Sequence, residues 1–166
     1  MSPPRRLALG GATAAAVVVA DQATKTWALR ALGDSPRHLV WTLRLNLSFN
    51  SGAAFGIGRG LAPLLVVIGV VIVLVLVGMG RSAGATLPTV VAFGLVLGGA
   101  SGNLIDRLVR DHGGAVVDFI DLQWWPVFNV SDAAITCGAI LLVFTASLLD
   151  RRRPTSEVAG PARGTP

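Results

Sequence analysis

Three stretches of this chain, residues 61–79, 87–105 and 133–149, are almost wholly apolar and close to the roughly 20 residues that cross a bilayer as a helix. A shorter one occupies residues 7–20. Backbone polar groups find no water inside a bilayer, so segments of this kind are restricted to helices or closed barrels. Their length, and the absence of strand-like alternation within them, predict an all-α integral membrane protein with four transmembrane helices. Composition agrees: 52% of the 166 residues are hydrophobic and 14% charged, with a mean hydropathy of +0.66, in the range of membrane proteins. The net charge of +5 comes from scattered Lys and Arg. Without aromatic residues interleaved among them, they do not form a nucleic-acid surface, and they read better as flanks of spans. The lone Cys137 rules out an intramolecular disulfide and is expected to be a small core residue. His38 and His112 are isolated, so neither a metal nor another cofactor is expected.

The first segment has two readings. Arg5 and Arg6, an apolar core and Val18-Val19-Ala20 resemble a cleavable signal peptide. Good helix formers and an interfacial Trp27 nevertheless follow Asp21, and Gly10, Gly11, Ala12, Ala14, Ala15 and Ala16 form a small-residue face suited to helix packing in lipid. A retained span is the expectation. Counting Lys and Arg on the two sides gives a tie, but Arg151, Arg152 and Arg153 stand directly after the last span, where charge weighs most. Both termini are therefore expected in the cytoplasm, with the two long loops and all four tryptophans, Trp27, Trp41, Trp124 and Trp125, on the outer side. Residues 1–153 read as one domain, and the Pro-, Gly- and Thr-rich residues 154–166 as a disordered cytoplasmic tail.

In the first outer loop Leu43, Leu45, Leu47 and Phe49 alternate with Thr42, Arg44, Asn46 and Ser48. This is a strand pattern, and it predicts a small extracytoplasmic β-sheet lying on the membrane. Asn50-Ser51-Gly52-Ala53-Ala54-Phe55-Gly56 follows, with small residues that let backbone approach another element.

Between residues 98 and 135 the chain carries Asp106, Asp111, Asp118, Asp121 and Asp132. Acids at a membrane boundary are costly and usually mark a site. Asp111, beside Arg110, His112 and two glycines, reads as a surface acid. Asp118 and Asp132 do not, since each is flanked by large apolar residues. Asn103, Asp106 and Arg107 share a helix face at the end of one span, where Asp106 is expected to pair with Arg107 and close the helix. Asn129 or Ser131 can cap the next, whose dipole favours an ionised Asp132. Trp124-Trp125-Pro126 turns the chain between Asp118 and Asp132, so the two carboxyls can meet. Asp121 is a third contender in a more open setting. Two carboxyls in a dry site share one proton, the basis of an aspartic protease; no Ser-His or Cys-His pair competes. The alternatives are a proton-coupled transporter and a non-catalytic lipid-binding membrane protein. A transporter would place acids at mid-span or show repeats, and neither is present.

Asp21-Gln22-Ala23-Thr24-Lys25, the Asn50 to Gly56 motif, Gly102-Asn103-Leu104-Ile105-Asp106-Arg107, Val116-Val117-Asp118-Phe119 and Phe128-Asn129-Val130-Ser131-Asp132-Ala133-Ala134 together resemble bacterial lipoprotein signal peptidase (signal peptidase II) in order and spacing. The resemblance implies a monomeric four-helix aspartic endopeptidase of the cell membrane, its site near the outer face beneath a β-cradle. It would cut diacylglyceryl-modified prolipoproteins on the amino side of the lipidated cysteine, in contact with membrane lipids. Carried over by motif, Asp118 and Asp132 are the catalytic pair. Asn50, Asn103, Arg107 and Asn129 line the site, and Asp21, Lys25 and Asp106 support it. Ser131 stands where the family often has Ala, and residues 111–115 lengthen the link before Asp118. Gly94, Gly98 and Gly99 are expected beside an acyl-chain entrance.

Overall fold

The computed structural model describes residues 2–33, 35–52, 64, 67, 71 and 86–150. Three helices, α1 (Pro3–Ala31), α2 (Leu87–Val109) and α3 (Val130–Asp150), and three strands, β1 (Arg37–Val40), β2 (Leu43–Asn50) and β3 (Val116–Asp121), make up the regular structure among these residues. All three helices are long and apolar enough to cross a membrane. Most of the span expected at 61–79 lies outside the described residues, as does the tail at 154–166; Leu64, Val67 and Val71 are helical. The helix α1 continues without a break through Ala20 and Asp21 and packs against α2 from Gly10 to Asp21.

Small residues set the helix packing. A stripe spaced by four runs down α2 through Gly94, Gly98 and Gly102 to Asp106, and it lies against α1. A Cβ built on Gly94 would come within 2.8 Å of the Gly10 carbonyl oxygen, and one on Gly98 within 2.7 Å of the Ala14 carbonyl oxygen. Gly102 faces Asp21, so contacts advance in the same direction along both helices, and α1 and α2 are parallel. On the adjoining face a Cβ at Gly99 would meet Ser131 and Ile135, and one at Gly138 of α3 would meet Ala92 and Val96. The helix α3 is therefore antiparallel to α2. With no hydrophobic drive between helices in lipid, close approach of this kind supplies the packing energy. The space a side chain would take at these glycines is filled by neighbouring helices. The polarity of the bundle is inverted with respect to a water-soluble one. Val19, Ile140, Val143 and Phe144 are exposed, whereas Asp21, Lys25 and Asp106 are fully buried. Cys137, expected in the core, also faces outward, because the inward face of α3 at that level is taken by Ala134 and Gly138.

The sheet has the antiparallel order β1-β2-β3 and sits at the end of the bundle where α1 finishes. Ala28 and Leu32 of α1 pack with Phe119 of β3, and Leu45, Leu47, Ile120 and Val130 close around them. The alternation read as one run is a hairpin, since Val40 pairs with Leu43 across Trp41 and Thr42. No Gly or Asn marks this turn. Trp41 instead takes φ of 53°, a left-handed conformation costing roughly 1–2 kcal/mol for a residue with a side chain. β3 is a strand that sequence reading treated only as an apolar segment. Its β-branched and aromatic residues suit a strand, but its partner β2 is distant in sequence, with Asn50 opposite Val116 and Ser48 opposite Asp118. After β3 the chain doubles back so that Phe128 bridges Ile120, and this return places Asn129 beside Asp118.

Candidate active site

A buried ionic cluster joins α1 and α2 at the sheet end of the bundle. Lys25 Nζ lies 2.8 Å from Asp21 Oδ2 and 3.0 Å from Asp106 Oδ2, with all three side chains inaccessible. Arg110 Nε reaches Asp106 Oδ1 at 3.0 Å, so two carboxylates face two cations and the cluster is neutral. Gln22 Nε2 donates to Asp106 Oδ1 at 2.9 Å, and Arg110 also donates to Gln22 Oε1 and Thr26 Oγ1. Removing one partner from such a buried pair costs about 3–5 kcal/mol, because a bare charge is left behind. The cluster also sets the neighbouring backbone. Asp106 Oδ2 accepts from the Val117 amide at 3.0 Å, fixing β3 one residue before Asp118, and Asp21 Oδ1 accepts from the Ser131 amide at 3.0 Å, fixing α3 one residue before Asp132.

Asn129 connects Asp118 and Asp132. As the residue preceding α3, it takes part in a reciprocal cap: its Oδ1 accepts from the Asp132 amide at 2.9 Å while its own amide donates to Asp132 Oδ2 at 3.2 Å. A cap of this form satisfies amides that the first turn of a helix leaves open. The Asn129 Nδ2 then donates to Asp118 Oδ1 at 2.7 Å. One asparagine is thus bonded to both carboxyls. Asn103 completes the link, donating from Nδ2 to Asp132 Oδ1 at 2.8 Å and accepting on Oδ1 from Lys25 Nζ at 3.0 Å. Burial, and next the charge of Asp132, push the Asp118 carboxyl up to about 7 against the opposing hydrogen bonds from Asn129 and Asn50. Asp118 therefore holds a proton well above the usual carboxylate range.

Asn50 ends β2 beside this pair. Its side chain bonds Asp118, and its Oδ1 accepts from the Gly52 amide at 3.0 Å. Arg107 Nη2 donates to the Gly52 carbonyl at 2.6 Å, tying the start of the small-residue loop to α2, while its Nε is buried without a partner among the described residues. Together these contacts bring Asn50, Asn103, Arg107, Asn129, Asp118 and Asp132 to one place, with Asp21, Lys25 and Asp106 beneath them.

Two expectations need correction. Asp106 pairs with Lys25 and Arg110, one helical turn away, rather than with Arg107, whose adjacent position points it to Gly52. Asp121 is buried at 3% exposure, not open. Burial raises its carboxyl, but hydrogen bonds from Arg44, the Gln123 amide and Asn46 outweigh this and hold it below the ordinary value. With Arg44 Nε at 2.7 Å, it braces the two turns of the sheet. Of the two possible caps, Asn129 serves; the Ser131 hydroxyl is buried without a partner. Gln22 and Arg110 were missed as members of the ionic cluster. The spacing of Arg110 four residues after Asp106 was the available signal. Among the described residues no three His, Cys, Asp or Glu side chains gather as a metal site requires.

The chain and its fold are similar to known proteins. The family described as Signal peptidase (SPase) II matches residues 13–148. A lipoprotein signal peptidase of Mycolicibacterium smegmatis is 40% identical over 98% of this chain and 73% of its own length. One from Syntrophomonas wolfei is 42% identical over 82% of this chain and 91% of its own. A solved bacterial membrane enzyme superposes with a TM-score of 0.79 at 30% identity, covering 91% of this chain and 94% of that one. A match over most of the chain, shared by relatives at this identity and by a solved membrane fold, places the protein in the signal peptidase II family.

Proposed function

We propose that this protein is a membrane aspartic endopeptidase that removes signal peptides from diacylglyceryl-modified prolipoproteins, cutting on the amino side of the lipidated cysteine. The observation that carries the reading is that one asparagine bonds both carboxyls, its side chain donating to Asp118 and its backbone amide to Asp132, with Asp118 raised to about 7 by burial and its partner's charge. Such a pair holds one proton between two acids near neutral pH. The ionised member takes a proton from water as the water oxygen bonds to the scissile carbonyl carbon, and the protonated member gives its proton to the carbonyl oxygen. The resulting diol collapses as the first member gives that proton to the amide nitrogen and the second, now ionised, takes one from a diol hydroxyl. The C–N bond breaks to leave an acid and an amine, and the pair returns to its starting state. Asn50 and Arg107 stand beside the pair, where they would hold the substrate backbone.

The parallel course of α1 and α2 supports a four-span topology. The described part of the outer loop ends at Gly52 against Arg107 in the last turn of α2, whereas α2, 23 residues and about 34 Å long at 1.5 Å each, begins at its far end. The intervening chain must cross that distance, and residues 61–79 are the segment suited to it. Both termini would then be cytoplasmic and the site would lie near the extracytoplasmic face, within one domain spanning residues 1–153 that acts as a monomer.

Purified protein in detergent should cleave a diacylglyceryl-modified prolipoprotein, and cleavage should continue in the presence of a chelator. Loss of cleavage with the chelator would overturn the aspartic mechanism. Proton flux in liposomes without cleavage would instead identify a transporter.

A further inference from the structure

We propose that Lys25 acts through Asn103 as a positioning residue that makes Asp132 the ionised member of the pair and leaves the proton on Asp118. The inference rests on the aspartic reading and assigns its two roles: Asp132 takes the proton from water, and Asp118 gives one to the carbonyl oxygen.

The argument begins with what an ammonium group can do. Lysine donates and never accepts, so the Asn103 atom 3.0 Å from Lys25 Nζ is the carbonyl oxygen. Asn129 Nδ2 donates to the same oxygen at 3.1 Å. A flipped amide would set its NH2 against both donors. The Asn103 Nδ2 is thereby turned toward Asp132 Oδ1, 2.8 Å away, while Asp132 Oδ2 accepts the Asn129 amide. Both Asp132 oxygens thus face donors, an arrangement that favours the ionised form, and its place in the first turn of α3 adds the positive end of the helix. Asp118, on a strand, has no helix end behind it and is 2% exposed.

The other charges facing the pair either act on both members or oppose the assignment. From α1 come Lys25, whose charge reaches both carboxyls, and Asp21, whose charge falls on Asp132 and works against its ionisation. From α2 come Arg107, which faces both carboxyls, and Asp106, which faces Arg107 and is held by Lys25 and Arg110. Among the described side chains that bond Lys25, Asn103 is the one that also donates to a member of the pair, and it donates to Asp132.

The test has two arms. In the first, kcat/KM for a synthetic diacylglyceryl prolipoprotein peptide is measured against pH. Lys25→Met is expected to move the acid limb upward by about one to two pH units, the size of effect a nearby opposite charge exerts, with no further movement when it is added to Asn103→Leu. An unmoved limb, or an equal shift in both backgrounds, overturns the relay. The second arm needs neither activity nor the Lys25 variant. It follows the infrared band of the protonated carboxyl at pH 6, which is expected to disappear in Asp118→Asn and return in Asp118→Asn combined with Asn103→Leu. Persistence of the band in Asp118→Asn alone overturns the assignment. Failure of the peptidase reading looks different, since Asp118→Asn and Asp132→Asn would then leave cleavage intact.

Discussion

At the scale of single residues, the two carboxyls of the site and the braced Asp121 should respond to substitution in opposite ways. Asp118→Asn and Asp132→Asn should each lower kcat/KM by about three orders of magnitude or more, as loss of one member of a unit does, with normal membrane insertion. Asp118→Asn carries a second expectation. Its folded-state value, about 7, lies above that of the unfolded chain, so the folded form binds the extra proton between about pH 4 and pH 7, and stability falls as pH rises through that window. The variant, still able to accept the Asn129 bond, should therefore melt at a higher temperature than the parent at pH 8 and differ little at pH 4. Thermal unfolding in detergent at the two pH values reads this directly. Asp121→Asn should keep its cleavage rate and lose stability at neutral pH, because a depressed carboxyl stabilises the fold above its unfolded value and stops doing so as pH falls below about 4. A dead but fully stable Asp121→Asn protein would reassign the pair.

At the scale of elements, the helices are held by close backbone approach, so adding one methyl group should discriminate sharply between glycines. Gly98→Ala would press a Cβ to 2.7 Å from the Ala14 carbonyl oxygen, and overpacking of this kind costs about 1–3 kcal/mol. Gly11, on the same bundle, has nothing within 4 Å of the corresponding position; Gly11→Ala should be neutral, or stabilising by about 0.4–1 kcal/mol through the unfolded chain. The fraction of folded protein recovered in detergent measures both. Gly102→Ala should be the most damaging of the series, since its Cβ would collide with the Ser131 hydroxyl and come within 2.7 Å of Asp21 Oδ2. It would displace the cluster that positions β3 and α3.

At the scale of the whole molecule, the parallel pair α1 and α2 and the sheet at one end give the protein a direction. A reporter fused after Gly113 should be extracytoplasmic and one fused after Arg81 cytoplasmic. The opposite result for Gly113 would set the site on the wrong face for the proposed substrate. The exposed Trp41, Trp124 and Trp125 are gathered at one end of the sheet by the Gln123 bond to the Thr42 carbonyl, and Trp27 stands against Phe119 at the same end. This grouping is what an interfacial belt requires.

The sequence by itself determined the apolar segments, three of which are helices long and apolar enough to cross a membrane, and it singled out Asp118 and Asp132 as candidates, because an acid among large apolar residues has no ordinary surface role. The proximity of Asp21 to Lys25 followed from helical spacing alone. Tertiary structure decided the rest. That Asp106 turns to Lys25 and Arg110 depends on α1 lying parallel to α2, a packing set by small-residue contacts rather than by spacing within either helix. That Asp121 is buried depends on Arg44 and Asn46, brought from a strand more than seventy residues earlier. The hairpin at Trp41 lacked a turn residue, and β3 lacked a nearby partner, so neither was visible until long-range pairing supplied the hydrogen bonds that local sequence could not.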